Sequence, residues 1–332
     1  MGPQFVDFDA DGFTDIVTAT FEGHAFVVRG SAEGWRAPEH VRDAAGAPIG
    51  IGLYYDMEAN GYRHVGQAEG EETDYSAPHC VSAVAFDWDA DGDHDLLLGS
   101  KSGELHLRLN EGTNTEPAFV STNARVEAGG APLTVPGGLT APKLVDWNGD
   151  GLTDLVCGSF EGGVYLYENR GEAGAPAFAA VRTLIAPGTS APAATRPEEG
   201  AYVDVLDRDG DGDLDLVVGG YYDFQPPQRE LTAEEEVRLA RLEAEMAEIE
   251  SDMDAFFARV DEAIADESDE DEVQAILEEL YGGDEYAALM ERYNAVSVEL
   301  AKLRAEPERR SGIWLYRQES PVREASAPAD GR

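Results

Sequence analysis

One nine-residue pattern, D-x-[DN]-x-D-G-x-x-D, occurs four times in this chain, and no other feature narrows its folding options so far. The copies run Asp7–Asp15 (DFDADGFTD), Asp87–Asp95 (DWDADGDHD), Asp146–Asp154 (DWNGDGLTD) and Asp207–Asp215 (DRDGDGDLD). Their starts lie 80, 59 and 61 residues apart. Each is entered from an apolar stretch (FVDF, VAFDW, KLVDW, YVDVL) and left through another (DIVTAT, DLLLGS, DLVCGS, DLVVGG). Spacing of this kind marks one supersecondary unit copied along the chain, each copy burying its apolar face against the next.

The pattern has the chemistry of a calcium loop. Hard divalent cations take about six to eight oxygen ligands, and carboxylates at alternate positions of a tight loop converge on one point. The glycine at position six permits the turn. In the first copy the expected ligands are Asp7, Asp9, Asp11 and Asp15, with the Phe13 carbonyl filling a further place. The second offers Asp87, Asp89, Asp91, Asp93 and Asp95. The third offers Asp146, Asn148, Asp150, the Leu152 carbonyl and Asp154, and the fourth Asp207, Asp209, Asp211, Asp213 and Asp215. Up to four Ca2+ ions are therefore expected. An EF-hand needs a bidentate Glu at position twelve. Thr18, Leu98, Cys157 and Val218 stand there, so EF-hand is rejected. A metal-free Asx turn competes for any single copy, but four copies in one context weigh against it.

After each loop and its strand comes a short turn ending in glycine, then an alternating strand: FEG-HAFVVRG, KSG-ELHLRLNEG, FEGG-VYLYENRG and SG-IWLYRQ. A further segment follows with proline at its start, at Pro38, Pro117, Pro176 and Pro321. Strand, acidic loop, strand, tight turn, strand and edge strand make one four-stranded antiparallel unit. Copied at long period, such units predict an all-β propeller of four, or five, blades. The motif, the trailing DLxxG and the downstream LYxN-G resemble FG-GAP/VCBS repeats, the calcium-binding blades of integrin-type β-propellers. The resemblance covers residues 3–222 and 311–325. It implies Ca2+ between the first and second strands of each blade. It also implies a secreted, periplasmic or cell-surface protein with an adhesive role, although this sequence opens without an export signal.

Residues 1–223 are read as blades one to three and half of blade four, 311–325 as its remainder, and 326–332 as a disordered tail. Between them, 224–310 switch to Glu, Ala and Leu. Thr232 with Glu235 forms a capping box. Leu239, Leu242, Met246, Ile249, Met253, Phe256 and Val260 then alternate spacings of three and four. The return repeats this with Tyr286, Leu289, Tyr293, Val296, Leu300 and Leu303. Two heptad seams of matching length predict an antiparallel coiled-coil hairpin, with a short helix near Val273–Leu280, a cap at Asp284 and an acidic tip over Asp266–Glu272. Such an arm is expected to bind a protein partner or a second copy of itself. A hairpin folded back as a cover is the competing reading.

Charge limits the partners. With 67 acids against 24 bases, the formal charge is −43. A polyanion is repelled by phosphate backbones and anionic lipid, so no nucleic-acid partner and no membrane insertion are expected. The four loops carry −16 of this charge, residues 230–310 carry −18, and the rest only −9.

Signals for catalysis are sparse, and no catalytic residue is assigned. His24, His40, His64, His79, His94 and His106 fall in no HExxH or Cys/His cluster, and His94 is expected to face solvent. Cys157, aligned with Leu98 and Val218, reads as a buried inert thiol. The inter-blade loops 43–80, 125–140 and 184–200 are the remaining binding candidates. The first carries Tyr54, Tyr55, Arg63 and His64, which suit polysaccharide binding or cleavage; an elaborated connection packing its own tyrosines fits equally well.

Overall fold

A computed structural model describes residues 2–20, 22–57, 59–68, 71–138, 141–188, 195–265, 270–305 and 307–318. Sheet 1 holds β1 (Gln4–Val6), β2 (Asp15–Ala19), β3 (Ala25–Val28) and β4 (Glu39–His40) in sequence order. A separate hairpin follows, β5 (Leu53–Asp56) with β6 (Gly61–His64). Sheet 2 comprises β7 (Cys80–Phe86), β8 (Asp95–Ser100), β9 (Leu105–Arg108) and β10 (Ala124–Arg125). The pair β11 (Glu127–Ala128) and β12 (Ala131–Pro132) leads to sheet 3, made of β13 (Pro142–Val145), β14 (Asp154–Gly158), β15 (Val164–Tyr167) and β16 (Arg182–Ile185). Sheet 4 joins β17 (Glu199–Leu206), β18 (Asp215–Phe224) and β19 (Glu308–Tyr316). The chain is thus mostly β, with several small antiparallel sheets.

The register is the same in all four sheets. The residue before each acidic motif pairs with the motif's ninth residue: Val6 with Asp15, Phe86 with Asp95, Val145 with Asp154 and Leu206 with Asp215. Each motif is therefore the connection of a first-to-second-strand hairpin, as the repeat predicts.

Period-two alternation then decides what packs against what. Val17 and Val27 of sheet 1 cluster with Leu96 and Leu98 of sheet 2. Leu97 and Leu105, on the opposite face of sheet 2, cluster with Leu155, Cys157 and Tyr165 of sheet 3. Val156, Val164 and Leu166 cluster with Leu216 and Val218 of sheet 4. Each sheet gives one face back and the other forward, so β8, β14 and β15 are buried on both sides. Among the described residues no such cluster joins sheet 4 to sheet 1. Phe5 on sheet 1 and Leu206, Ile313 and Leu315 on sheet 4 are exposed.

Two expectations about edges need correction. The proline-led segments of sheets 2 and 3 make only isolated bridges, Phe119 to Asn110 and Phe178 to Asn169; the paired edge strands are the later β10 and β16. Burial explains the difference. Phe119 and Phe178 are drawn into the clusters between sheets, which takes their segments out of ladder pairing. In sheet 4, Ser311 and Gly312 lie inside β19 rather than in a turn, because with no tight connection to close, β18 and β19 run to ten and nine residues. The Pro321 segment and the expected tail lie outside the described residues.

The chain divides into two compact units, Met1–Asp223 with Arg309–Arg332, and Phe224–Glu308. The second contains α1 (Ala233–Ile264), α2 (Glu270–Gly282) and α3 (Asp284–Ala301). Thr232 and Glu235 form the reciprocal capping box at α1. At α3 the cap is Gly283, and Asp284 is the first helical residue, where its charge faces the positive helix end. Leu242 and Ile249 pack with Val296, Leu300 and Leu303, and Phe256 and Val260 with Leu289. Ion pairs Glu243–Arg304 (just past the end of α3), Asp252–Arg292 and Arg259–Glu285 run back toward the start of α3 as they climb α1, so the two helices run antiparallel. Residues 266–269 of the expected acidic tip lie outside the described residues. No described helix is long and apolar enough to cross a membrane.

Candidate metal centres

Two backbone positions shape each acidic loop. Position four is left-handed in every copy, with φ of 55° at Ala10, 60° at Ala90, 75° at Gly149 and 79° at Gly210. Position six is always glycine, at φ between 88° and 97° (Gly12, Gly92, Gly151, Gly212). These turns point the loop amides inward, where the first aspartate gathers them. Asp7 accepts from the amides of Asp11 and Gly12, both at 3.0 Å. Asp146 accepts from Asp150 (3.0 Å) and Gly151 (2.9 Å). Asp207 accepts from Gly210 (2.7 Å) and Gly212 (3.1 Å), and Asp87 from Gly92 (3.2 Å). The fifth residue then accepts the amide two places on: Phe13 to Asp11, Asp93 to Asp91, Leu152 to Asp150 and Asp213 to Asp211.

The ninth aspartate does something that motif reading missed. Asp15, Asp95, Asp154 and Asp215 are 0–3% exposed. One oxygen of Asp15 accepts the Phe8 amide (3.0 Å) and the other the Gly30 amide (2.7 Å). Asp95 takes Trp88 (2.9 Å) and Asn110 (2.7 Å), and Asp154 takes Trp147 (3.0 Å) and Asn169 (2.7 Å). Asp215 accepts the Gln318 amide at 3.1 Å. In sheets 1 to 3 this carboxylate buckles the acidic loop to the end of the third strand. Asn110 and Asn169 extend the buckle: Asn110 Oδ1 accepts from Gly112 and Ala118, and Asn169 Oδ1 from Gly171 and Ala177. Their signal in the sequence is the N-x-G that follows the third strand.

Carboxylate oxygens converge in three loops. Asp7, Asp9 and Asp15 each place an oxygen within 4.8 Å of the other two, as do Asp87, Asp89 and Asp95, and Asp207, Asp209 and Asp211. Asp11, Asp91, Asp93, Asp213 and Asp215 fall outside these triads. In the third loop Asn148 turns its amide toward Asp150 (2.9 Å). Phe13 and Leu152 enter through their amides, as above. Several oxygens are buried without a hydrogen-bond partner: Asp9 Oδ1, Asp87 Oδ1, Asp93 Oδ1 and Asp215 Oδ2. Buried, unpartnered carboxylate oxygens are costly, and they are the donor type a hard divalent cation takes. Burial, reinforced by Asp89 and Asp93, pushes Asp95 up to about 6. Burial and then Asp91, Asp89 and Asp87 raise Asp93, and burial with Asp150 and Asp146 raises Asp154. Arginines approach two loops, Arg29 pairing with Asp9 and Arg317 with Asp209 (3.5 Å).

Residues 146–218, from the third acidic motif through the fourth, match a family model described as FG-GAP-like repeat. This stretch is similar to FG-GAP-like repeats. Its bounds take in β14, β15 and β16 of sheet 3, then β17 and the start of β18 up to Val218, and the other two motifs share its loop geometry. A search of curated proteins found no match. Among solved structures, a crystal structure of BBS1N in complex with ARL6DN, soaked with lead, matches at 13% identity and a TM-score of 0.29, over 66% of this chain and 64% of that one. The match thus spans under two thirds of that chain. A mercury-soaked counterpart matches at 12% identity and a TM-score of 0.29, over 67% and 75%.

The remaining candidates sit elsewhere. Tyr54 and Tyr55 lie on β5, and Arg63 and His64 on β6, with Arg63 3.7 Å from Asp56. His64 Nδ1 accepts the Asp74 amide (3.2 Å). A cavity of 520 Å³ beside this hairpin is lined by Tyr62, Tyr75, His79 and Lys101. His94 stacks on Phe8, centroids 5.9 Å apart, which corrects its expected solvent-facing position: the second loop packs against sheet 1. Cys157 is buried, as expected, and burial raises its thiol; Cys80, likewise buried, is pushed up to about 12.

Proposed function

We propose that this chain is a calcium-stabilised β-propeller that binds other molecules outside the cytoplasm, with its four sheets as blades and no catalytic role. The observation that carries the reading is the convergence of aspartate oxygens in three of the four loops, with buried, unpartnered oxygens at Asp9, Asp87, Asp93 and Asp215. Ca2+ would supply the missing partner and neutralise carboxylates that now repel one another, so its binding free energy adds to folding. Adhesion follows from the FG-GAP-like repeat together with the helical unit. That unit is read as an antiparallel coiled-coil hairpin presented for a protein partner or a second copy. Its net charge of −18 over 230–310 makes a basic surface the favoured counterpart.

A second reading rests on the 520 Å³ cavity, where Tyr62 and Tyr75 are 43% and 64% exposed. Exposed tyrosines beside a cavity that also carries His79 and Lys101 suit a polysaccharide. One experiment separates the two: capture in Ca2+ by the full chain, and by a variant with 224–310 replaced by a short turn. Loss of a protein partner on replacement supports the arm. Retained glycan-array binding that Tyr62→Ala and Tyr75→Ala abolish supports the cavity.

A further inference from the structure

A cluster of different chemistry lies at the opposite end of sheet 1 from its acidic loop, at the turn between β2 and β3. Glu22, His24 and His40 place one ligand atom each within 4.8 Å of the others. Glu22 Oε1 lies 3.4 Å from His24 Nδ1 and 3.0 Å from His40 Nε2. Sequence reading passed over these histidines because 16 residues separate them. Pairing of β3 with β4 brings them together, setting Phe26 opposite His40 while His24 immediately precedes β3.

The three side chains are held, not merely adjacent. The turn is closed by Gly23 N to Thr20 O (3.0 Å) and Glu22 N to Thr20 Oγ1 (3.2 Å). Gly23 has φ of 104°, and a Cβ there would lie 2.5 Å from the Leu53 carbonyl, so the turn is pressed against β5 with no room for a side chain. His24 is 5% exposed; its ring lies 4.5 Å from that of Tyr54 and 5.3 Å from that of His40. The His40 ring packs on Phe26 at 4.3 Å. His79 is near enough to interact electrostatically with His24. The His40 and Glu22 side chains are 27% and 25% exposed, which leaves one open side toward solvent.

We propose that Glu22, His24 and His40 form a site for a first-row divalent transition metal of the Zn2+ class, distinct from the acidic loops. Ligands about 2.1 Å from a tetrahedral Zn2+ lie roughly 3.4 Å from one another. The two Glu22–histidine separations are close to that and all three ligand atoms lie within 4.8 Å of one another, so an ion would enter with small side-chain movement. Two imidazole nitrogens and one carboxylate oxygen select Zn2+, Co2+ or Fe2+ over Ca2+, whereas the all-oxygen loops have the reverse preference. Three protein ligands with one open side leave a coordination place for water or an external donor. The packing of Tyr54 and Phe26 on the rings supplies the fixed orientation that metal-bound histidines need.

The test titrates Co2+ into the full chain with Ca2+ in large excess to saturate the loops, reading the visible ligand-field bands. The expected result is one equivalent bound with the intense bands of four- or five-coordinate Co2+, displaced by Zn2+. Affinity should fall at least about tenfold in His40→Ala and in Glu22→Gln, and stay unchanged in His64→Ala. A second readout needs no variant: on adding Zn2+ to wild type, nitrogen-detected imidazole spectra should shift the resonances of two of the six histidines. Absent bands, or bands of equal strength in both variants, overturn the proposal. So do imidazole spectra that Zn2+ leaves unmoved.

Discussion

Removing the ninth aspartate of one loop separates the two duties that the motif combines. Asp154 is fully buried and accepts the amides of Trp147 (3.0 Å) and Asn169 (2.7 Å). Asp150, in the same loop, is exposed and accepts the Leu152 amide (2.9 Å) and the Asn148 side-chain amide (2.9 Å). A buried donor left without its acceptor costs about 1–3 kcal/mol. Asp154→Ala orphans two such amides and leaves a small cavity, so about 4 kcal/mol of destabilisation is expected in calcium-free protein. Asp154→Asn keeps one acceptor and turns an NH2 toward the other amide, for about 2 kcal/mol. Asp150→Asn should cost under about 0.5 kcal/mol without calcium, since an exposed amide recovers its partner from water. The measurement is urea unfolding followed by tryptophan fluorescence and far-UV circular dichroism in chelated protein, then repeated in Ca2+. With calcium, Asp150→Asn should lose its own site's share of the added stability, about 2.7 kcal/mol at a hundredfold excess over the dissociation constant, while Asp154→Asn keeps its deficit. Equal losses for Asp150→Asn and Asp154→Asn in chelated protein would refute the buckle.

Two further outcomes follow from the geometry. In calcium-free protein Asp95 titrates at about 6 rather than near 3.8, so the folded state binds more protons than the unfolded between those values. Stability should then fall as pH rises from about 4 to about 6 and stay low above it, and added Ca2+ should reverse the order, because protons compete for the same oxygens; urea midpoints at about pH 5 and about pH 7.5 check the sign. In the helical unit Ile249 is 0% exposed between α1 and α3. Ile249→Ala should cost about 2–5 kcal/mol, seen as an earlier loss of helical signal on heating, with the loss of β signal unmoved.

Much of this arrangement could be read from local pattern. The acidic motif sits between two apolar runs whose alternation admits one hairpin register, and Val6–Asp15, Phe86–Asp95, Val145–Asp154 and Leu206–Asp215 all adopt it. The heptad residues from Leu239 to Leu303 likewise announce the faces that α1 and α3 bury. Features set by distant contacts could not be read this way. Phe119 and Phe178 look like edge-strand residues until the neighbouring sheet supplies a core for them. Asp15 and Asp154 look like one more ligand each, since their amide donors at Gly30 and Asn169 lie 15 residues away. His24 and His40 share a carboxylate only because β4 folds back on β3.

The central claim is that calcium completes the loops. Its most direct test is thermal unfolding of chelated, dialysed protein, its metal content checked by mass analysis, with and without millimolar Ca2+. At about a hundredfold excess over the dissociation constant, each occupied site contributes about 2.7 kcal/mol. With three or four sites occupied, the melting temperature should rise by many degrees and keep climbing with Ca2+ concentration. A melt that is the same in metal-free and calcium-loaded protein would contradict it.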